Sequence, residues 1–151
     1  MNAILEDVSE VAITRAVLRL IDCRDAVPPP ALLQDFGVAC ARESDAGKCV
    51  QYIAQAIGEE GIGIPSLACV DFLVASCGAM IGQMTNSDMR DKTGVCLAVS
   101  FARTADVIFS PRERTDYTKA VIGAFEKEGL SDYTETLTDI AHAAVQSLIL
   151  I

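Results

Sequence analysis

The sequence predicts an all-α fold, a bundle or array of about seven helices in one domain that covers residues 1–151. Apolar residues make up 51% of the 151-residue chain, aromatic residues only 5%, and tryptophan is absent. Small side chains let helix axes approach closely, so this composition favours packed helices over a β-sandwich. No run of alternating polar and apolar residues is long enough to predict a strand.

Three helices are expected in the first sixty residues, because apolar residues recur there at helical spacing. The first covers 2–22, and three prolines at 28–30 separate it from a second helix at 31–43. Ser44 or Asp45 is the expected N-cap of the third helix. Its apolar positions follow one helical face and are Ala46, Cys49, Val50, Ile53, Ala54 and Ile57.

The segment Ser66 to Gln83 follows a glycine-rich break and is apolar almost all round. A helix without a polar face is expected to be buried, so we predict that residues 66–83 form the central helix of the fold. Gly78 and Gly82 lie four residues apart in it, which predicts close packing against a neighbouring helix. A turn at residues 86–90 then starts a fifth helix, which we expect to reach Phe109.

The two last predicted helices have clear starting signals. The segment from Ser110 to Glu113 is a capping box with proline at the first helical position, and Gly129 is the expected end of the sixth helix. Ser131 is the expected N-cap of the seventh helix, which runs to Ile151 and carries the only histidine, His142, away from its apolar stripe.

The charge of the chain excludes some partners. With 21 acidic and 12 basic residues the net charge is −9. Such a charge repels phosphate backbones, so we expect no nucleic-acid partner and instead another protein or a second copy in a homodimer.

Acidic residues at 6, 7 and 10 stand where a signal peptide carries Lys or Arg, which favours a cytoplasmic protein. Pro65 and Asp71 interrupt the apolar stretch 62–82, so we expect no membrane span.

The six cysteines lie in apolar helical stretches without a CxxC pair, at positions 23, 40, 49, 69, 77 and 96. We therefore expect reduced thiols that serve as core residues, rather than disulfides. A soft metal such as cuprous ion is an alternative, since thiolates and thioethers bind it. Cys69 and Cys77 are about 80° apart around a helix, and this spacing argues against convergent ligands. We expect no metal and no cofactor.

Catalysis has little support in the residue types present. Most hydrolytic triads and zinc sites need an oriented imidazole, and His142 is expected to face water. The basic residues Arg15, Arg19 and Arg24 alternate with Asp22 and Asp25, which is typical of a solvated face of ion pairs. We therefore predict no catalytic residues.

Two classes of function remain. The first is a non-catalytic protein-interaction module that self-associates, with an interface at Leu148, Ile149, Leu150 and Ile151. The second is a small-molecule-binding protein or enzyme with a pocket at Asp71, Cys69, Cys77 and Met80. Asp71 motivates it, because this residue is the only charge between Glu60 and Arg90 and a carboxylate on an apolar helix is costly. The competing interpretation places Asp71 at a wet edge or in an ion pair with Arg103.

Overall fold

The computed structural model describes residues 2–23, 27–58, 64–135 and 137–139. These ranges contain six α-helices and one 3-10 helix, and no strand. The predicted all-α class is therefore confirmed. In chain order the elements are α1 (Asn2–Asp22), α2 (Pro30–Ala41), α3 (Ala46–Gly58), α4 (Leu67–Gly82), α5 (Ser87–Asp106), α6 (Pro111–Lys127) and the 3-10 helix Ser131–Tyr133.

The helices form an array around two inner elements, α3 and α4. Helix α3 packs against α1, α4 and most closely α5, whereas α4 packs against α3, α5 and α6. Helix α2 lies against α1 at one side of the array. The predicted central helix, α4, thus shares the middle of the molecule with α3, and one edge of it is open to solvent.

Four helices begin at side chains that accept a hydrogen bond from a first-turn amide. Ser66 accepts from the amide of Cys69, Asn86 from that of Met89, and Ser110 from that of Glu113. At the start of α3, Asp45 accepts from the amide of residue 48 at 3.2 Å. Each such cap satisfies a donor that has no partner within the helix and stabilises the protein by about 1 kcal/mol.

Helix α6 ends at a glycine, as predicted. Gly129 has a φ of +74°, and the amide of Leu130 donates to the carbonyl of Phe125 at 2.8 Å. The amide of Gly129 donates to the carbonyl of Glu126. These two bonds make a Schellman motif, which requires the left-handed conformation that glycine adopts without strain.

The segment after Gly129 differs from the prediction. Ser131 begins a short 3-10 helix instead of capping an α-helix. The α-helical hydrogen bonds resume only when the amide of Thr138 donates to the carbonyl of Thr134 at 2.9 Å. The physical reason is the tight turn after Gly129, which lets Thr134 bond back to Ser131 before the chain can continue as an α-helix.

Helix α5 also ends earlier than expected, at Asp106 rather than Phe109. Ile108 is buried, and its carbonyl accepts two hydrogen bonds from the guanidinium of Arg114, at 2.8 and 3.2 Å. These bonds satisfy a carbonyl in the turn that leads to α6, so the helix can stop without leaving it unpaired. Phe109 is left outside the helix as a result.

The core consists of aliphatic side chains and three thiols, with two edge-to-face aromatic pairs. The largest fully buried side chains come from α1, α3, α4, α5 and α6 and from Leu137. No disulfide joins the six cysteines. Among the described helices, none combines the length and the apolar character that crossing a membrane requires.

Candidate functional site

The residues predicted to line a pocket on α4 lie on different sides of that helix. Asp71 is exposed to solvent, whereas Cys69 and Cys77 are buried against the core and Met80 is half-buried. Within the described residues Asp71 has no ion pair, with Arg103 or any other residue. The carboxylate therefore lies on the solvent-exposed side of the helix, whereas the two thiols lie on its buried side.

Two cysteines from different helices meet in the core. Cys40, at the end of α2, hydrogen-bonds with Cys49, in the first turns of α3, and this bond raises the pKa of Cys40 and lowers that of Cys49. Burial raises the pKa of Cys77 nearby, so this thiol stays neutral. Spacing within single helices could not reveal this contact. Among the described residues no group of three His, Cys, Asp or Glu side chains is placed to hold a metal ion.

Tyr117 on α6 is a buried polar side chain without a hydrogen bond. Its hydroxyl finds no partner among the described residues, although only 8% of the residue is exposed. Burial, and then the neighbouring Cys69 thiol, raise the pKa of Tyr117. We interpret Tyr117 as a core residue, because its ring packs with the buried residues of the core.

An exposed apolar surface follows α5 and the turn after it, and we call it the α5 face. Phe109 is 98% exposed and Val107 is 58% exposed, which is unusual for two large apolar side chains in the same turn. Val95 and Met89 are 45% and 41% exposed at the other end of the helix, next to the exposed Cys96. The α5 face therefore presents apolar side chains at both ends.

Charged side chains lie along the same face. Lys92, Arg103 and Asp106 are all exposed, and Val99 between them is half-buried. A shallow depression of about 460 Å³ opens beside Lys92, lined otherwise by Asp91, Val95 and Cys96. The sequence does not indicate this face, because residues 87–106 alternate small, polar and apolar side chains without a clear apolar stripe. The exposed Phe109 was assigned to the helix itself.

A groove of about 370 Å³ runs between α1 and α2. Arg15 and Arg19 line it from α1, and Asp35 and Arg42 from α2. Arg19 forms an ion pair with Asp35 at 3.5 Å, and both side chains remain more than half exposed. The sequence predicts a solvated ion-pair face for the first two arginines. It could not predict that α2 adds a third arginine to the same groove.

The remaining predicted positions fall outside the described residues. They are His142 and the interface residues Leu148, Ile149, Leu150 and Ile151, which stay predictions. No protein-family model, curated protein or solved structure matches this chain.

Proposed function

We propose that this chain is a non-catalytic protein-interaction module of the cytoplasm, and that it self-associates as a homodimer through the α5 face. The single observation that carries the proposal is the 98% exposure of Phe109 beside the exposed Val107. Removal of a phenylalanine side chain from water contributes about 1.5–3 kcal/mol. Exposed aromatic side chains next to other apolar groups are typical anchors of protein interfaces.

A second copy fits the α5 face in one particular register. Lys92 and Asp106 each lie seven residues from Val99, and seven residues are nearly two helical turns. The three side chains therefore share one side of α5. Two antiparallel α5 helices related by a two-fold axis near Val99 would place Lys92 opposite the partner's Asp106, twice in each dimer.

The same register brings the apolar ends of the α5 face together. Met89 lies in the first turn of α5 and Phe109 lies just beyond its last turn, so antiparallel packing would bring Phe109 to the end of the partner helix that carries Met89. The depression beside Lys92 and Val95 lies close to that contact. One self-complementary surface would thus pair opposite charges and, at its ends, apolar side chains, which favours a second copy over an unrelated partner.

The cysteines support the proposed location in the cytoplasm, and the charge of the chain supports a partner other than nucleic acid. Six cysteines without a disulfide suit a compartment that keeps thiols reduced, which favours the cytoplasm. The net charge of −9 still argues against nucleic acid as a partner. A small-molecule pocket at Asp71 has no observation in its favour, because Asp71 is exposed and Cys69 and Cys77 are buried away from it.

A charge exchange on α5 tests the register. The single variants Lys92→Asp and Asp106→Lys would each place like charges opposite one another in both copies of the contact. Sedimentation velocity should show each variant as a monomer at concentrations where the wild type is a dimer. The double variant restores opposite charges and should dimerise again, because the two residues have exchanged roles.

A truncation of the aromatic anchor tests the same interface independently. Phe109→Ser should raise the dissociation constant of the dimer by roughly tenfold or more. The matched control is Val27→Ser, since Val27 is 74% exposed and lies outside the α5 face. Circular dichroism should show all variants folded. Single charge variants that dimerise as the wild type does, or a double variant that stays monomeric, would contradict the proposed register.

A further inference from the structure

The groove between α1 and α2 combines an apolar floor with a basic rim. Ala16 and Ala39 are buried at its base, and Ala12 and Val38 continue its walls. Along α1 the lining residues run from Ala12 to Arg19, a length of about 10 Å. Its volume of about 370 Å³ lies in the range of sites that bind small molecules.

The arginines at the rim of the groove outnumber the carboxylates that could balance their charge. Arg15 and Arg19 are four residues apart on α1, where two like charges destabilise a helix. Arg42 adds a third guanidinium from the end of α2, and Asp35 is the only carboxylate among the lining residues. The local charge is therefore +2 in a chain whose net charge is −9.

Among the described residues, two of the three guanidinium groups have no acidic partner. Within the described residues only Arg19 forms an ion pair, with Asp35. Glu43, the carboxylate next to Arg42 in sequence, instead accepts a hydrogen bond from the amide of Asp45 at 3.1 Å. Arg15 and Arg42 are both exposed beside the groove, and an anion bound there would relieve the repulsion between the guanidinium groups.

We infer that the groove between α1 and α2 binds the phosphoryl group of a small organic phosphate. A phosphate monoester carries a charge of about −1.5 to −2 at neutral pH, which balances the +2 of the rim. Guanidinium groups donate paired hydrogen bonds to phosphate oxygens, with Arg15 and Arg42 supplying the free donors. The alanine floor suits an apolar group attached to the phosphate.

The source of the phosphate follows from the size and charge of the site. The net charge of −9 repels nucleic acids and anionic membrane surfaces, and these need a long basic surface rather than a short groove. A soluble molecule avoids this repulsion because only one group approaches the protein. Asp35 then lowers the affinity of the groove for anions, since it holds Arg19 and repels negative charge.

The test uses phenyl phosphate as the probe, added to isotopically labelled protein at constant ionic strength. Saturable changes in amide chemical shifts are expected along residues 12–19 and 34–42. Arg15→Gln and Arg42→Gln should each weaken binding by roughly tenfold, because each removes a hydrogen-bonded charge. Arg112→Gln is the matched control, since Arg112 is an exposed arginine outside the groove and should leave the affinity unchanged.

Two further measurements test the proposal, one with an expected increase in affinity and one with an expected decrease. Asp35→Asn removes the competing carboxylate and should tighten phenyl phosphate binding by about threefold or more. Benzoate, which has the same ring and a single charge, should bind more weakly than phenyl phosphate. Shifts that do not saturate, weaker binding to the Asp35→Asn variant, or equal affinity for benzoate would overturn the assignment. The groove lies on α1 and α2, so this result is independent of dimerisation through α5.

Discussion

At the scale of single residues, Tyr117 is the clearest departure from ordinary core chemistry. A buried hydroxyl without a partner costs about 1–3 kcal/mol, and the hydroxyl of Tyr117 has none among the described residues. Tyr117→Phe should therefore raise the free energy of unfolding by about 1 kcal/mol, measured by urea denaturation at neutral pH. Tyr133→Phe is the matched control and should lower stability slightly, because its hydroxyl donates to Asp91 at 2.9 Å.

The same hydroxyl gives a pH dependence with a definite sign. Because the folded state raises the pKa of Tyr117 above its ordinary 10.0, folded protein keeps a proton that unfolded protein loses. The wild type should thus lose stability as the pH rises above 10, whereas Tyr117→Phe should lose less. Parallel stability curves for the two proteins over this range would show that the hydroxyl is solvated or bonded in solution.

Some residue-level features could be predicted from the sequence and others could not. The cap at Ser110 and the glycine at 129 depend on local hydrogen bonds, which the sequence specifies over a few positions. The exposure of Asp71 depends on which side of α4 meets its neighbours. One charged residue in an apolar segment does not reveal which side of α4 is exposed, so the sequence alone could not exclude a pocket at Asp71.

At the scale of elements, the 3-10 helix is fastened to α5 by close packing on a glycine. A Cβ atom added at Gly94 would overlap the ring of Tyr133. Gly94→Ala should therefore displace this ring, break its bond to Asp91 and destabilise the protein by about 1–3 kcal/mol. Thermal unfolding followed by circular dichroism measures the effect.

A matched control for Gly94→Ala is available on the neighbouring helix. Gly123 lies exposed on α6, and a Cβ atom there would meet nothing within 4 Å. Gly123→Ala should stabilise the protein by about 0.5–1 kcal/mol, because alanine loses less conformational entropy in a helix. If both variants shift the unfolding temperature in the same direction, the packing of Tyr133 on α5 is not as described.

Some helix boundaries are set by the local sequence, and others are set by contacts with residues distant in sequence. Helices α1 and α3 follow their apolar periodicity and begin and end close to the predicted residues. Helix α5 stops early because Arg114, on the next helix, binds the carbonyl of Ile108. In the predicted glycine pair on α4, Gly78 does pack closely, with its added Cβ 3.1 Å from Glu128, whereas Gly82 has open space. Such differences arise from neighbours that are distant in sequence.

At the scale of the whole molecule, both candidate surfaces are products of the helix arrangement. The groove exists because α2 lies against α1 and adds Arg42 to a pair of arginines that the sequence places together. The α5 face exists because the other side of α5 is buried against α3 and α6. Periodicity within one helix predicts which side is buried, but it does not predict which exposed sides are complementary.

A deletion of residues 148–151 distinguishes the α5 face from the interface that the sequence predicts at those residues. Removal of residues 148–151 should leave the dimer intact if the α5 face holds the two copies together. A folded monomer after this deletion would instead favour an interface at Leu148, Ile149, Leu150 and Ile151. Sedimentation velocity together with circular dichroism separates loss of association from loss of folding.

Self-association through the α5 face is the central claim, and the mass of the wild-type protein in solution tests it most directly. Sedimentation equilibrium over a range of concentrations should show a reversible approach to twice the chain mass of 16.1 kDa. The same experiment on Phe109→Ser should show the transition at higher concentration. A mass that stays at 16.1 kDa throughout the wild-type series would contradict the claim.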